Sequence, residues 1–469
     1  MTEKKQSRLA RLVDFLLEPR IALRPEQRPC SNRKLLLLFL PLMLEKLMQM
    51  VVGMADTFLV SFLGEAAVSG VSLDMTIYTV YVFLFASLAV GGSVIVAQYV
   101  GGRQRENADA AASQLWQLSL GFGLFCMGVT LAGGGWLLEM LYGNVEPEVM
   151  AACRDYLAVI AYSFPALAVY NAGASIYRSI GDSRTPMLLL LTMNVLNILG
   201  GCLVIFVLKL GVAGIAWAST LSWTAAALGM SALCLKKSNP AAISLQGILA
   251  WRQDIVRRIL YISVPNLFEN GTFQATKVAL GALIATLGTV QIAANGIGQT
   301  LWNFSSIIGM AMAPAFITLV GQSMGARDVQ LADYYMQKLA RLTFWLAVVW
   351  NFLTISATPW LLGFYQVSDE VKELVFLTVL VRNVWSSLVQ VPAQSLPDGL
   401  RAAGDVKYPL YASIFCTCFV RFVTAYACCI WLGMGVMGIV AALCMDWTVK
   451  AVLIVRRYRQ GLWKQMRVI

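Results

Sequence analysis

Twelve long apolar runs follow one another along the chain, at 35–60, 76–100, 115–139, 149–177, 186–208, 212–236, 258–285, 297–321, 340–364, 370–400, 409–431 and 434–458. A run of about 20 mostly apolar residues is long enough to cross a hydrocarbon core as a helix. Within lipid every backbone N–H and C=O must be satisfied inside the protein, so runs of this length fold as helices. The chain is therefore expected to be an all-α integral membrane protein with twelve transmembrane helices. Its composition agrees: 58% of the residues are hydrophobic, 13% are charged and the mean hydropathy is +0.69. Soluble domains are about 45–50% apolar and about 25% charged.

The cations set an orientation, because Lys and Arg collect in cytoplasmic loops. With the N-terminus inside, 29 of the 36 Lys and Arg residues fall in cytoplasmic segments. Two, Lys209 and Lys372, fall outside, and five, Lys46, Arg154, Lys277, Arg382 and Arg421, fall within helices. The expected location is the cell membrane, with many passes through the bilayer and both termini cytoplasmic. The net charge of +11 is the sum of these loops. A nucleic-acid binder carries its basic stripe on a soluble domain, and none is visible. In residues 1–34, Asp14 and Glu18 interrupt any apolar core, which argues against a cleavable signal peptide. Leu9, Leu12, Val13, Leu16 and Leu17 give 7–18 the pattern of an amphipathic helix on the membrane surface. A disordered basic tail is the plainer reading.

The chain repeats itself. A shift of 224 residues lays Pro41 on Pro265, Glu45 on Glu269, Leu63-Gly64 on Leu287-Gly288 and Gln98 on Gln322. The same shift lays Gly101-x-Arg103 on Gly325-x-Arg327 and Ala108-Asp109 on Ala332-Asp333. A shift of 223 lays Arg178-x-x-Gly181-Asp182 on Arg401-x-x-Gly404-Asp405. The expected organisation is an N-terminal segment (1–34), a six-helix bundle (35–236), a cytoplasmic linker (237–257), a second six-helix bundle (258–458) and a basic tail (459–469). Six is even, so both halves enter from the same side. They are expected to be related by a pseudo-two-fold along the membrane normal, a transporter design in which access alternates by rocking. A duplicated membrane scaffold or enzyme is the plainer alternative.

Nothing in the sequence points to an enzyme: there is no Walker loop, metal-ligand cluster or nucleophile elbow. The chain contains no histidine, which removes His-based acid–base, nucleophile and metal chemistry. The ten cysteines form no CxxC pair and read as small buried hydrophobes. No metal and no cofactor is expected, and any proton chemistry falls to carboxylates.

Val52-Gly53-Met54-Ala55-Asp56-Thr57-Phe58-Leu59-Val60, with Leu63-Gly64 after it, resembles the first-helix signature of the MATE (multidrug and toxic compound extrusion) transporters. Ala97-Gln98-Tyr99-Val100-Gly101, and Tyr177 to Pro186 with its Arg-x-x-Gly-Asp, resemble the family at matching places. The resemblance runs from about 35 to 458 and implies a V-shaped pair of six-helix bundles. It also implies export of small organic compounds, cationic or amphiphilic, in exchange for protons or sodium. The alternative, from the wider superfamily, is a flippase or exporter of a lipid-linked or anionic metabolite, with Lys46, Lys277 and Arg421 in the cavity. The implied partners are the small-molecule substrate, the coupling cation and the lipid bilayer, and a monomer is expected.

An ionisable group inside a membrane helix is a functional candidate by default. Asp56 leads the candidates, since its repeat partner is Leu280 and the duplication did not demand an acid there. A structural ion pair near the outer rim is its plainer reading. By resemblance, Asp56 matches the aspartate central to cation coupling, Asn197 the first member of an Asn-x-x-x-Asp pair, and Ser219 a nearby hydroxyl. Here the second acid is replaced by Gly201. Sodium wants several oxygens and charge, so the proton is the preferred coupling ion. Asn194 and Asn197 also fit interhelical hydrogen bonding. In the second half Glu269, Lys277 and Arg421 are the candidates: Lys277 is two turns from Glu269 and open to an ion pair, while Arg421 can neutralise Glu269 or meet an anionic substrate. Met48, Met54, Tyr78, Trp302 and Gln390 are candidate cavity residues, Gln390 standing where relatives carry an aspartate. Pro41 is the candidate hinge.

Overall fold

The computed structural model describes residues 16–19, 21, 23, 32–466 and 468–469, and among these no strand is present. Twelve long helices follow in order: α1 Asn32–Ser61, α2 Glu65–Gly101, α3 Arg105–Tyr142, α4 Pro147–Ser179, α5 Arg184–Leu208, α6 Gly211–Cys234, α7 Gln253–Ala285, α8 Thr289–Gly325, α9 Val329–Leu362, α10 Asp369–Ala403, α11 Lys407–Trp431 and α12 Val436–Gln460. Ten of them have a stretch long and apolar enough to cross a membrane. The other two, α6 and α7, stand at the expected spans 212–236 and 258–285, diluted by Ser, Thr and Trp in α6 and by charged residues in α7. The predicted amphipathic helix over 7–18 lies outside the described residues except at its end. There Glu18 accepts hydrogen bonds from Lys338 Nζ (2.9 Å) and the Tyr334 hydroxyl (2.8 Å) on α9.

Departures from regular helix mark the later spans. α1 runs unbroken through Pro41, as membrane helices tolerate. α5, α10 and α11 widen into π turns at Leu203–Leu208, Val391–Ser395, Cys416–Arg421 and Ala427–Trp431, a deformation common near functional sites.

The helices form two compact units, Leu36–Gly271 and, with the N-terminal segment, Thr272–Val468; the division lies within α7. In the first unit α2 and α7 approach so closely at Gly91 that a Cβ there would lie 1.9 Å from Ser263 Oγ. Ser263 Oγ donates to the Leu88 carbonyl (3.1 Å), and Asn270 Nδ2 donates to Ser87 Oγ (3.0 Å). α2 meets α4 in the same way at Gly70, where a Cβ would sit 2.8 Å from that of Ala152. An aromatic core of Tyr81, Phe85, Phe122 and Phe164 fills the space between α2, α3 and α4. In the second unit Trp302 packs on Trp447 at 5.1 Å between ring centres, and Val371, Val375 and Val379 of α10 form a core with Ala294 and Leu301 of α8.

The duplication is written in the backbone. Left-handed φ values recur 224 residues apart at Gly64 and Gly288 (106° and 97°), Arg103 and Arg327 (55° and 60°), Lys209 and Gly433 (52° and 63°) and Gly211 and Gly435 (65° and 57°). Gly181 and Gly404 (91° and 103°) match 223 apart. Gly64 and Gly288 open α2 and α8 with ψ of 171° and 164°, a region open to glycine alone without strain. The repeated aspartates also share a task. Asp109 Oδ1 accepts from the Ala242 N–H (2.6 Å), just after α6. Asp333 binds Tyr458 and Lys464 at the end of α12 and beyond it.

Candidate functional site

The N-terminal unit brings three of the expected residues together. Asp56 on α1 is 5% exposed, Asn197 on α5 is 2% and Ser219 on α6 is 3%. Ser219 Oγ donates to Asn197 Oδ1 (3.1 Å), and Asn197 Nδ2 donates to Asp56 Oδ1 (2.9 Å). The relay fixes the amide's orientation and presents its donor to the carboxylate. Asp56 Oδ2 accepts no hydrogen bond among the described residues. Asn194 and Thr220 are occupied elsewhere: Asn194 Nδ2 donates to the Met48 carbonyl (3.3 Å) and Thr220 Oγ1 to the Val159 carbonyl (3.3 Å).

At Gly201 a leucine stands where a side chain would begin. A Cβ on Gly201 would lie 2.6 Å from Leu59 Cδ1, and Leu59 is buried in the same core. The seat of a second acid is therefore filled by a leucine one turn from Asp56.

A second buried carboxylate, Asp74 on α2, escaped the sequence reading. It is fully buried, and neither of its oxygens makes a hydrogen bond. The signal was available: the repeat partner of Asp74 is Gly298, so this acid, like Asp56, belongs to one half only.

The motif after α4 turns out to be structural. Arg178 forms an ion pair with buried Glu45 of α1. Asp182 caps the start of α5, accepting from the Arg184 and Thr185 N–H groups (2.9 and 3.2 Å) and from Thr185 Oγ1 (2.6 Å). Lys46 Nζ donates to Gln49 one turn along α1 (3.0 Å).

The second-half candidates are arranged differently from expectation. Arg421 is neutralised by Asp446 of α12 and not by Glu269: its Nε donates to Asp446 Oδ2 (2.9 Å), and its Nη2 binds the same oxygen. Both side chains of this pair are buried. Asp446 was overlooked because the partner was sought at the matching glutamate of α7. Lys277 forms no ion pair among the described residues, so the expected bridge to Glu269 is absent. Glu269 is half-buried on the part of α7 that belongs to the N-terminal unit.

Trp302 is buried, and the guanidinium of Arg382 lies 4.0 Å from its ring centre. Gln390 is fully buried against Gly309. Asp398 pairs with Arg401 (2.7 Å). Met48 and Tyr78 are half-buried, Tyr78 against Phe164, while Met54 is exposed. Among the described residues no cluster of acids and cysteines could hold a metal ion.

Known proteins match over nearly the whole chain. The MatE family model matches residues 41–203 and again 265–427, two matches offset by the same 224 residues as the internal repeat. An uncharacterised transporter of Bacillus subtilis, YisQ, is 24% identical over 433 residues, which cover 91% of this chain and 93% of that one. NorM of Thermotoga maritima, a probable multidrug resistance protein, is 23% identical over 453 residues, covering 95% and 96%. A multidrug resistance MATE transporter solved in an outward-facing conformation superposes with a TM-score of 0.84 at 21% identity, covering 92% and 97%. A Pyrococcus furiosus transporter of the MOP superfamily, described by the reverse polarity of its binding pocket, superposes with a TM-score of 0.83 at 21% identity, with the same coverage.

Proposed function

This chain belongs to the MatE family of multidrug efflux transporters, and from that premise we propose that it is a secondary active antiporter that exports small amphiphilic organic compounds in exchange for protons. It works in the cell membrane, as a monomer with both termini cytoplasmic. Relatives described as multidrug resistance and multidrug export proteins support the substrate class.

The observation that carries the coupling role is the buried relay from Ser219 through Asn197 to Asp56. It satisfies one carboxylate oxygen and leaves Oδ2 as the seat of the coupling ion. A single carboxylate suits a proton, which needs one oxygen. Sodium needs several oxygen ligands, and the place of the second acid is taken by Leu59 against Gly201. Antiport follows if proton and substrate favour different states of the protein, since coupling is differential binding to two states.

Dye efflux from proteoliposomes under an imposed pH gradient, with and without sodium, tests this. Wild-type efflux should follow the pH gradient and ignore sodium. Asp56→Asn should lose gradient-driven efflux while keeping its unfolding temperature. Undiminished gradient-driven efflux in that variant sinks the role of Asp56, and efflux driven by sodium alone sinks the proton.

A further inference from the structure

The polarity of the second unit is opposite to that of the first. Arg421 is cancelled by Asp446. A further cation, half-buried Arg382 on α10, has no carboxylate partner among the described residues. Cations inside a membrane bundle are rare, and they mark ligand pathways when no protein group neutralises them.

Arg382 lines a cleft with Asn295, Gln299, Trp302 and Asn383. Its guanidinium lies over Trp302 (4.0 Å), and Nη1 reaches Gln299 Oε1 at 3.4 Å. A guanidinium held face-on by an indole keeps its N–H edge open, the edge that grips a carboxylate with two parallel hydrogen bonds. Beside it Asn383 is 1% exposed, and neither its amide nitrogen nor its oxygen has a hydrogen-bond partner. A buried amide left unpaired calls for a partner from outside the fold. The cavity is about 20 Å³, room for a group of water size, so it takes a single carboxylate oxygen and leaves the rest of the molecule outside.

We propose that the C-terminal bundle binds the anionic head group of the exported compound, a carboxylate, between Arg382 and Asn383. This rests on the transport reading above and names its substrate class as organic anions, where the family resemblance implies compounds that are often cationic.

The test is equilibrium binding to the purified full chain without any gradient, using dansylglycine, its neutral methyl ester and a dansylated amine of matched size. The acid should bind about tenfold or more tighter than the ester, the scale of a charge-assisted hydrogen-bonded pair. Arg382→Gln should bring the acid down to the level of the ester, and Arg382→Lys should keep part of the preference. An ester or amine that binds as well as the acid overturns the proposal. So does a preference that survives Arg382→Gln in folded protein, or that is lost equally in Arg382→Lys. Chloride displacing the acid, with no efflux of the acid from proteoliposomes, would reveal an inorganic-anion site and also overturn it. Because binding is read without a gradient, its failure leaves Asp56-dependent efflux standing, and failure of the coupling role leaves the binding preference standing.

Discussion

Gly201 and Leu59 meet beside the N-terminal site. The family pattern has room for a second acid on α5, and here the Leu59 side chain reaches to within 2.6 Å of where a Cβ would begin. Gly201→Asp alone should therefore overpack the α1–α5 contact and lower stability by about 1–3 kcal/mol, read as a drop in unfolding temperature. Leu59→Ala with Gly201→Asp clears the space and rebuilds the Asn-x-x-x-Asp pair. That double variant should acquire sodium-stimulated efflux, while a sodium response equal to wild type would show that more than the second acid is missing. At this scale the sequence revealed Asp56, Asn197 and Ser219, because the resemblance assigned each a helix and the fold brings those helices together. It did not reveal that Gly201 packs on Leu59, since the two lie far apart in the chain. Asp74 was legible in principle as an acid without a repeat partner, but its burial is a tertiary fact.

The elements carry a division of labour that single residues do not show. Paired left-handed positions end and restart the helices at matching places in both halves, so the scaffold is duplicated while the polar cargo is not. Asp56 and Asp74 face Leu280 and Gly298 in the repeat register, and Arg382, Arg421 and Asp446 face Ala158, Asn197 and Ser222. The twelve helices were readable because an apolar run in lipid has few other folds. Interhelical ion pairs were not, because their register depends on packing between α11 and α12. Arg421 ends the π turn Cys416–Arg421 and meets Asp446 there, both buried. Removing one partner of a buried pair strands the other, which costs about 3–5 kcal/mol. Asp446→Asn should thus cost a loss of that order in thermal or denaturant unfolding. Arg421→Met with Asp446→Leu removes both charges and should recover most of it. A double variant no more stable than Asp446→Asn would mean that the pair does not act as a unit.

On the scale of the whole molecule, the cations and the helix count constrain each other. Each helix added or lost inverts the sidedness of every loop after it. The segregation of 29 Lys and Arg residues to one set of loops against two in the other therefore holds only with an even number of spans in each half. The twelve helices satisfy this, α6 and α7 included, although neither is among the ten with a stretch long and apolar enough to cross a membrane. If α6 did not cross, Arg252, Arg257 and Arg258 would lie outside, against the preference of cationic loops for the cytoplasm. A fluorescent protein that matures only in the cytoplasm, fused after Ile469, should therefore fluoresce. Alkaline phosphatase, active only outside, should be active when fused after Lys209, between α5 and α6, and inactive when fused after Lys237, beyond α6. Phosphatase activity after Lys237 would mean that α6 does not span, and would overturn both the parallel pairing of the two halves and the cytoplasmic placement of the C-terminus.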